Sequence, residues 1–239
     1  MGKRINSRSG TVKFSDDIAI KSLYDKYNAE KEFTILRDLY ELYPSTKQEG
    51  WLYCTVKPLS FDKNGNIKMQ RVCGEPLSSH ILKNPNSAYH AGVWLALFHN
   101  TTQGDDGNVT RFSDYSTSHV IIDDKSKMVT AIDPGLGFGK RGLSESDLFS
   151  FIINVISHSL KNYRMPVSAI DAFLSGYYNT SVNLPEEKKM SQALTEVINK
   201  YNRRWSKASR VKLLISIPYK CYLNIYCRRM IKRILKQYS

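Results

Sequence analysis

The pattern of apolar residues changes near Gly74 and Pro76, and this change constrains the fold more than any other feature of the sequence. Before it, short apolar runs predict strands, and one run of helical spacing that ends at Pro44 predicts a helix. The predicted strands and helix cover residues 10–14, 18–21, 51–59 and 67–72 and residues 28–43, respectively. Beyond the change, most apolar runs have helical spacing. We therefore expect an α+β chain of two lobes, with a small five-stranded N-lobe that contains one helix and a helical C-lobe.

The predicted C-lobe helices cover residues 87–100, 144–162, 167–178 and 185–205. Two short strands, near residues 120–122 and 128–132, interrupt them. The chain of 239 residues is long enough for two lobes that share a cleft. We place the N-lobe at residues 1–73, a hinge at residues 72–74, the C-lobe at residues 74–210 and a basic tail at residues 211–239.

The sequence lacks the features of a secreted or membrane-spanning chain. The first 17 residues are polar and have no apolar core of a signal peptide. The four cysteines form no CxxC pair and no Cys/His group with zinc spacing. These features predict a cytoplasmic protein with reduced, mostly buried thiols.

The net charge of +13 is concentrated at the C-terminal end. From Lys200 onward there are twelve basic residues and no acidic ones, which leaves 23 basic and 22 acidic residues in the first 199. Beyond Leu223, apolar residues recur at helical spacing and basic residues fill the other face, as in a basic amphipathic helix. Three interpretations stay open: contact with an anionic membrane surface, packing on the C-lobe with the basic face in water, and, less favoured, nucleic-acid binding.

A lysine ends the second predicted strand, Ile18-Ala19-Ile20-Lys21. The next helix offers Glu30 and Glu32, and Glu32 stands four residues before Leu36. Phosphoryl transfer requires a lysine to hold the nucleotide phosphates and a glutamate to hold the lysine. Upstream, Gly10 is compatible with the end of a phosphate-covering turn and equally with an ordinary hairpin glycine.

Two aspartates, Asp114 and Asp133, lie nineteen residues apart, each close to a short apolar strand. If the two strands pair as a hairpin, both aspartates converge at one end of it. One can then orient a hydroxyl nucleophile while the other holds magnesium.

The order of these motifs resembles that of the small kinase-like enzymes of the lipopolysaccharide core and Kdo kinase group, and of the small kinase of the KEOPS tRNA-modification complex. Residues 112–122 read FSDYSTSHVII and residues 132–139 read IDPGLGFG; those relatives have sequences like HGDLTTSNIII and IDFGLGF. Residues 91–99 resemble the helix before the catalytic loop, and residues 69–77 resemble the hinge. The resemblance covers about residues 9–180.

The resemblance implies an ATP-dependent kinase that uses Mg²⁺ or Mn²⁺. It implies that Lys21 holds the phosphates, that Glu32 pairs with Lys21, and that Asp114 is the catalytic aspartate. Asp133 would be the principal metal ligand, and His119 occupies the position of a second one. Further nucleotide contacts would come from Gly10 and from the hinge residues Gln70, Arg71 and Val72.

Three residues depart from the motifs of these relatives. Phe112 replaces a histidine that is mainly structural, so an apolar residue should be tolerated. Pro134 replaces an aromatic residue, and its fixed φ disfavours a flip of this segment. His119 replaces the asparagine that holds a second magnesium, and imidazole is a poor ligand for so hard a cation. The site has therefore lost one metal, uses a softer one, or belongs to a pseudokinase.

The sequence thus predicts a kinase that phosphorylates a hydroxyl of a non-protein acceptor. A sugar of a lipid-linked glycan, such as lipopolysaccharide core, is favoured because the basic tail would hold the enzyme at the inner face of a membrane. A serine/threonine protein kinase or ATPase of the KEOPS type is one alternative. A catalytically impaired pseudokinase that only binds its ligands is the other.

Overall fold

The protein has the α+β architecture that the sequence predicts, with a sheet-based N-lobe followed by a helical C-lobe. The computed structural model describes residues 4–6, 10–25, 28–135, 137–161, 167–206 and 210–238. Leu136, in the motif at residues 132–139, and residue 162, at the end of a predicted helix, lie outside the described residues.

The N-lobe contains a five-stranded antiparallel sheet and one helix, as predicted. The sheet order is β1-β2-β3-β7-β6, and its strands are β1 (Arg4–Asn6), β2 (Gly10–Phe14), β3 (Ile18–Leu23), β6 (Pro58–Phe61) and β7 (Asn66–Gln70). Helix α1 (Ala29–Leu42) packs on this sheet, and Leu36 lies in a small apolar core with Val56 and Ile67. No apolar run predicts β1, so the fifth strand is located only by the structure.

The sequence predicts a single strand at residues 51–59, and this prediction is wrong. The run contains parts of two strands that belong to different sheets. β4 (Ser45–Gln48) and β5 (Trp51–Thr55) form a hairpin, and β6 begins only at Pro58. Pro58 has no backbone N–H and restricts the residue before it, which interrupts the run. β5 instead pairs in parallel with β11 (Met128–Ala131), far along the chain.

A second five-stranded sheet, of order β4-β5-β11-β10-β8, supports the candidate site. It includes β8 (Glu75–Pro76) and β10 (Val120–Asp123). β10 and β11 form the expected antiparallel hairpin, in which Val120 lies opposite Ala131. The chain therefore enters β10 and leaves β11 at the same end of the sheet, which is where Asp114 and Asp133 come together.

The C-lobe is built from helices around one large core. Its helices are α2 (Leu77–His80), α3 (Ala88–Thr102), α4 (Glu145–Lys161), α5 (Val167–Tyr178), α6 (Glu187–Ser206) and α7 (Arg210–Tyr238), with a 3₁₀ turn at Pro85–Ser87. β9 (Val109–Thr110) and β12 (Arg141–Gly142) add a small two-stranded sheet. The central helix α3 buries Trp94 and Phe98 completely. The four helices predicted for this lobe begin and end within two residues of the observed bounds.

The apolar side of the C-terminal helix α7 is part of the C-lobe core. Leu223, Cys227, Met230 and Ile234 are buried there, and Tyr238 stacks on Tyr178. This side is therefore not exposed for insertion into a membrane, whereas the basic residues Arg228, Arg229, Lys232 and Lys236 are exposed. Within the described residues, no helix has the length and apolar character needed to cross a membrane. The division at residues 73/74 and 210/211 stays a prediction.

Candidate active site

Lys21 lies at the centre of a partly buried ion-pair network that joins the N-terminal sheet, helix α1 and the loop after β11. It projects from β3 on the same side as Ala19, since alternate residues of a strand share a face. Its Nζ atom is 2.5 Å from Glu32 Oε1 and 3.0 Å from Asp133 Oδ1. The ion pair with Glu32 expected from the sequence is therefore present, and Asp133 is a second partner.

Helical periodicity explains why Glu32, and not Glu30, contacts the lysine. Glu32 lies on the inner face of α1 with Ile35, Leu36 and Leu39, all of which are buried, whereas Glu30 is exposed. Only 6% of Lys21 is exposed, and such burial disfavours its charged form. The carboxylates of Asp133 and Glu32 outweigh this effect and raise the pKa of Lys21 above its usual value. The lysine is therefore a fixed positive charge at the cleft.

The segment that carries Asp114 is anchored by an aromatic cluster. Phe112 is fully buried, and its ring makes edge-to-face contacts with Trp94 at 5.6 Å and Tyr115 at 5.3 Å between centroids. Tyr115 in turn donates a hydrogen bond from its hydroxyl to the carbonyl of Ala91 on α3, at 2.8 Å. Phe112 therefore anchors the loop by aromatic packing.

A buried carboxylate on α4, Asp147, holds the backbone of this loop. It accepts hydrogen bonds from the N–H groups of Phe112 at 2.7 Å and Ser113 at 3.1 Å. Ser113 has a φ of 76°, a conformation that is rare for residues other than glycine. The two bonds to Asp147 hold this strained residue in place, immediately before Asp114.

The same carboxylate ends a buried hydrogen-bond chain. His99 Nε2 donates to Asp147 Oδ2 at 3.4 Å, and His99 Nδ1 accepts from the Tyr177 hydroxyl at 2.9 Å. Burial alone would raise the pKa of Asp147, but the bond to His99, the charge of Arg111 and the N–H of Phe112 hold this pKa below its usual value. Asp147 was not among the site residues predicted from the sequence, because an acidic residue in the first turn of a helix is common.

His119 connects the two aspartates. Its Nδ1 lies 2.8 Å from the backbone carbonyl of Asp114. A carbonyl can only accept, so Nδ1 carries the proton and, in the neutral ring, the lone pair is on Nε2. Nε2 lies 3.8 Å from Asp133 Oδ2. The lone pair of Nε2 is therefore on an atom 3.8 Å from a carboxylate oxygen of Asp133.

Two glycines allow the loop after β11 to pack directly on the loop of Asp114. A Cβ atom at Gly135 would lie 2.8 Å from the Cβ of Asp114, and one at Gly137 would lie 2.6 Å from Ser113 Oγ. The N–H of Gly135 also donates to the carbonyl of Phe112 at 3.2 Å. The spacing of glycines in this motif thus reflects close packing between the two loops.

The arrangement can hold one divalent cation. Asp133 supplies a carboxylate oxygen and His119 supplies Nε2, and a separation of 3.8 Å between these atoms is compatible with a shared metal. The described residues contain no group of three or more acidic, histidine or cysteine side chains able to hold a metal. Further ligands would therefore be phosphate oxygens and water, as is usual for magnesium at nucleotide sites.

Lys21, Glu32, Asp114 and Asp133 line one cleft of about 1040 Å³. Among the described residues, Gly10, Gln70, Arg71, Val72 and His119 are not part of its lining.

Gly10, Gln70 and Arg71, which do not line the cleft, make backbone contacts within the N-terminal part of the chain. A Cβ at Gly10 would lie 2.1 Å from the carbonyl oxygen of Ser22, so this glycine is needed where β2 meets β3. The N–H groups of Gln70 and Arg71 donate to Lys57 and Asp17, respectively, each at 2.9 Å. Their roles in binding nucleotide stay predictions.

The architecture and the site together define a protein-kinase-like fold, the class expected from the resemblance. Solved structures share it over nearly the whole chain. A choline/ethanolamine kinase family protein from Mesorhizobium loti is 10% identical, with a TM-score of 0.59, and the match covers 99% of this chain and 92% of that one. An aminoglycoside phosphotransferase from Alicyclobacillus acidocaldarius subsp. acidocaldarius is 11% identical over the same shares, with a TM-score of 0.61.

A further structure, the ternary complex of streptomycin, ATP and the phosphotransferase APH(2″)-IIa, is 11% identical, with a TM-score of 0.55 and coverage of 93% of this chain and 91% of that one. No protein-family model and no curated protein sequence matches the chain. At such low identity the likeness shows the shared fold. The closer resemblance to lipopolysaccharide core kinases or to the KEOPS kinase stays a prediction.

Proposed function

We propose that this protein is an ATP-dependent phosphotransferase that transfers the γ-phosphoryl group to a hydroxyl of a non-protein acceptor. The observation that carries the proposal is the contact of Lys21 with both Glu32 and Asp133 at a cleft that also contains Asp114. Phosphoryl transfer needs this set: a cation for the phosphates, a carboxylate for the metal and a carboxylate for the nucleophile. The kinases and phosphotransferases that share the fold give further support.

In this mechanism Asp114 orients the acceptor hydroxyl and accepts its proton while the hydroxyl oxygen bonds to the γ-phosphorus. The bond from that phosphorus to the β,γ-bridging oxygen breaks, and the electron pair leaves with ADP. Lys21, held by Glu32, neutralises charge on the phosphates. A divalent cation held by Asp133 and His119 would supply further neutralisation of the phosphate charge. Asp147 keeps the loop of Asp114 in position.

The proposal is tested with Asp114→Asn and Asp133→Asn in an assay of ATP binding and of slow ATP hydrolysis, in which water replaces the unknown acceptor. Asp114→Asn should abolish hydrolysis and keep ATP binding, whereas Asp133→Asn should also weaken metal-dependent binding. Asp105→Asn, an exposed change in the loop after α3, is the matched control. If either active-site variant hydrolyses ATP at the wild-type rate, the assignment is wrong. If the wild type neither binds nor hydrolyses ATP, the protein is a pseudokinase.

For the acceptor, we infer a sugar of a lipid-linked glycan such as lipopolysaccharide core, reached from the inner face of a membrane. The support is the exposed basic face of α7, formed by Arg228, Arg229, Lys232 and Lys236. Ile225 and Tyr222 beside it are 54% and 38% exposed. Because the apolar side of α7 is buried, binding to anionic lipid would rest mainly on charge, at roughly 1 kcal/mol per basic residue near the surface. A KEOPS-type enzyme would instead use this face for protein or tRNA partners.

A further inference from the structure

Helix α6 contacts the loop of Asp114 from outside the kinase-like motifs. The resemblance to kinases covers about residues 9–180, whereas α6 begins only at Glu187. Two of its side chains, Glu196 and Lys200, line the cleft together with Asp114. They are four residues apart, so they lie one turn apart on the same face of the helix. Neither the motifs nor the proposed chemistry assigns them a role.

Lys200 holds the main chain immediately before Asp114. Its Nζ donates a hydrogen bond to the carbonyl of Ser113 at 2.9 Å. This carbonyl belongs to the planar peptide group that joins Ser113 to Asp114, so the bond restrains the plane of that peptide. The N–H of Ser113 donates to the carboxylate of Asp147, on α4, at 3.1 Å. Both main-chain polar groups of Ser113 are therefore held by charged side chains, which make stronger hydrogen bonds than neutral ones.

The backbone of Ser113 needs such restraint. Its φ of 76° lies in the left-handed region, which is costly for a residue other than glycine. A residue in this conformation relaxes unless its surroundings hold it, and relaxation would rotate the peptide group that leads into Asp114. The ammonium of Lys200 thus acts on the position of Asp114 through the peptide group between Ser113 and Asp114.

Helix α6 is itself fixed to the same loop. Glu196 lies 2.5 Å from Nη1 of Arg111, two residues before Ser113, and accepts a hydrogen bond from the Ser146 hydroxyl at 3.0 Å. The apolar side of α6 packs in the C-lobe core through four buried residues, Met190, Ala193, Leu194 and Val197. The helix therefore presents Lys200 to the loop from a fixed position.

We propose that Lys200 is a positioning residue for phosphoryl transfer, which places the Asp114 carboxylate in the cleft by holding the carbonyl of Ser113. This inference rests on the proposed phosphotransferase function and adds a residue to its active site. Lys200→Met removes the donor and keeps a long, unbranched side chain, whereas Lys200→Arg keeps a cationic donor. The matched control is Lys188→Met, the same change at an exposed position of α6 outside the described cleft lining.

The test combines ATP hydrolysis and ATP binding with amide hydrogen exchange of the nucleotide-free protein, measured by mass spectrometry on peptides that contain Asp114. Lys200→Met should lower the kcat of hydrolysis at least about 10-fold and leave the affinity for ATP unchanged, because a displaced Asp114 slows the chemical step and not binding. The amides of this loop should exchange about 10-fold faster in the same variant. Lys200→Arg should restore most of both values, and Lys188→Met should match the wild type.

Several results would overturn the inference. One is loop exchange that is as slow in Lys200→Met as in the wild type. Another is a weaker affinity for ATP with unchanged kcat, which would assign Lys200 to nucleotide binding, and a third is a lower Tm with unchanged kcat, which would make the contact structural only. A fall in kcat that Lys200→Arg does not reverse also contradicts it. A wild type that does not hydrolyse ATP refutes the proposed function, and the exchange of Lys200→Met then still decides whether Lys200 holds the loop.

Discussion

Replacement of Asp147 tests whether a residue outside the cleft controls the position of the catalytic loop. Asp147→Asn keeps the size of the side chain and one acceptor oxygen, but it places an NH₂ group where the second oxygen was. The carboxylate accepts hydrogen bonds from the N–H groups of Phe112 and Ser113, so one of these two donors loses its acceptor in the variant. Ser113, with its φ of 76°, is then free to relax and to displace Asp114.

The magnitude follows from these contacts. A buried donor left without a partner costs about 1–3 kcal/mol, and hydrogen bonds to a charged group are worth about 1.5–3 kcal/mol each. We expect a loss of about 3 kcal/mol in the free energy of unfolding, or a fall in Tm of roughly 6–12 °C for a chain of this length.

The difference should also depend on pH. Burial opposes ionisation of Asp147, but its hydrogen bonds and the charge of Arg111 hold the pKa in the folded state below the reference value of 3.8. A lowered folded-state pKa means that the carboxylate stabilises the fold above that value, and that this contribution is lost as the pH falls through the folded-state pKa. The gap in Tm between the wild type and Asp147→Asn should therefore narrow below about pH 4.

The assay combines thermal unfolding between pH 3 and pH 7 (about four points) with ATP binding and hydrolysis at neutral pH. A positioning role predicts that hydrolysis falls at least about 10-fold while the affinity for ATP stays unchanged. Asp171→Asn is the matched control, because Asp171 forms an exposed ion pair with Arg233 and should contribute less than about 1 kcal/mol. If Asp147→Asn changes Tm by no more than Asp171→Asn and hydrolysis is unchanged, the reasoning is refuted.

Three further changes probe the metal site, the loop packing and the tail. His119→Asn should shift the metal preference of ATP turnover from Mn²⁺ toward Mg²⁺, because a carbonyl oxygen suits the harder ion. If the ratio of the turnover rates with Mn²⁺ and Mg²⁺ is unchanged, His119 is not a metal ligand. Gly135→Ala should lower turnover by at least about 10-fold, since its Cβ would lie 2.8 Å from that of Asp114. Gly139→Ala is strained by a φ of 84° but has open space around it, so it is the comparison for backbone strain without contact to Asp114. Equal turnover of the two variants would contradict the packing argument. Charge reversal of the exposed basic face of α7, at Arg228, Arg229, Lys232 and Lys236, should abolish salt-sensitive sedimentation with anionic vesicles and leave Tm nearly unchanged. If vesicle binding persists, another surface of the protein is responsible for it.

Local sequence patterns were sufficient where the determining interaction is local. The resemblance implied that Glu32 pairs with Lys21, and the period of α1 agrees with it, because it places Glu32 with Ile35 and Leu36 on the buried face. The hairpin of β10 and β11 follows from two short apolar runs and a turn, and it brings Asp114 and Asp133 to one end. Both arrangements depend only on the periodicity of one helix or one hairpin.

Interactions between distant segments were not visible in the sequence. The parallel pairing of β5 with β11 joins residues about 75 positions apart, and no local pattern of Trp51–Thr55 distinguishes it from an N-lobe strand. Asp147, in the first turn of α4, has the position of an ordinary acidic residue at a helix start. The apolar side of α7 fits a membrane-binding helix as well as a packed one, and only the core contacts of Leu223 and Cys227 decide between them.

The resemblance noted from the sequence predicts an asparagine where this chain has His119, and the contacts of His119 indicate what a side chain at this position binds. An asparagine side chain offers an N–H donor and an oxygen lone pair at two ends of one planar group. The neutral imidazole of His119 offers the same pair, because Nδ1–H is bound to the carbonyl of Asp114 while Nε2, which carries the lone pair, lies 3.8 Å from Asp133 Oδ2. In His119→Asn an amide oxygen would replace the imidazole nitrogen as the ligand atom, which changes its hardness. A change of metal preference, with turnover retained, is the consequence that this arrangement predicts.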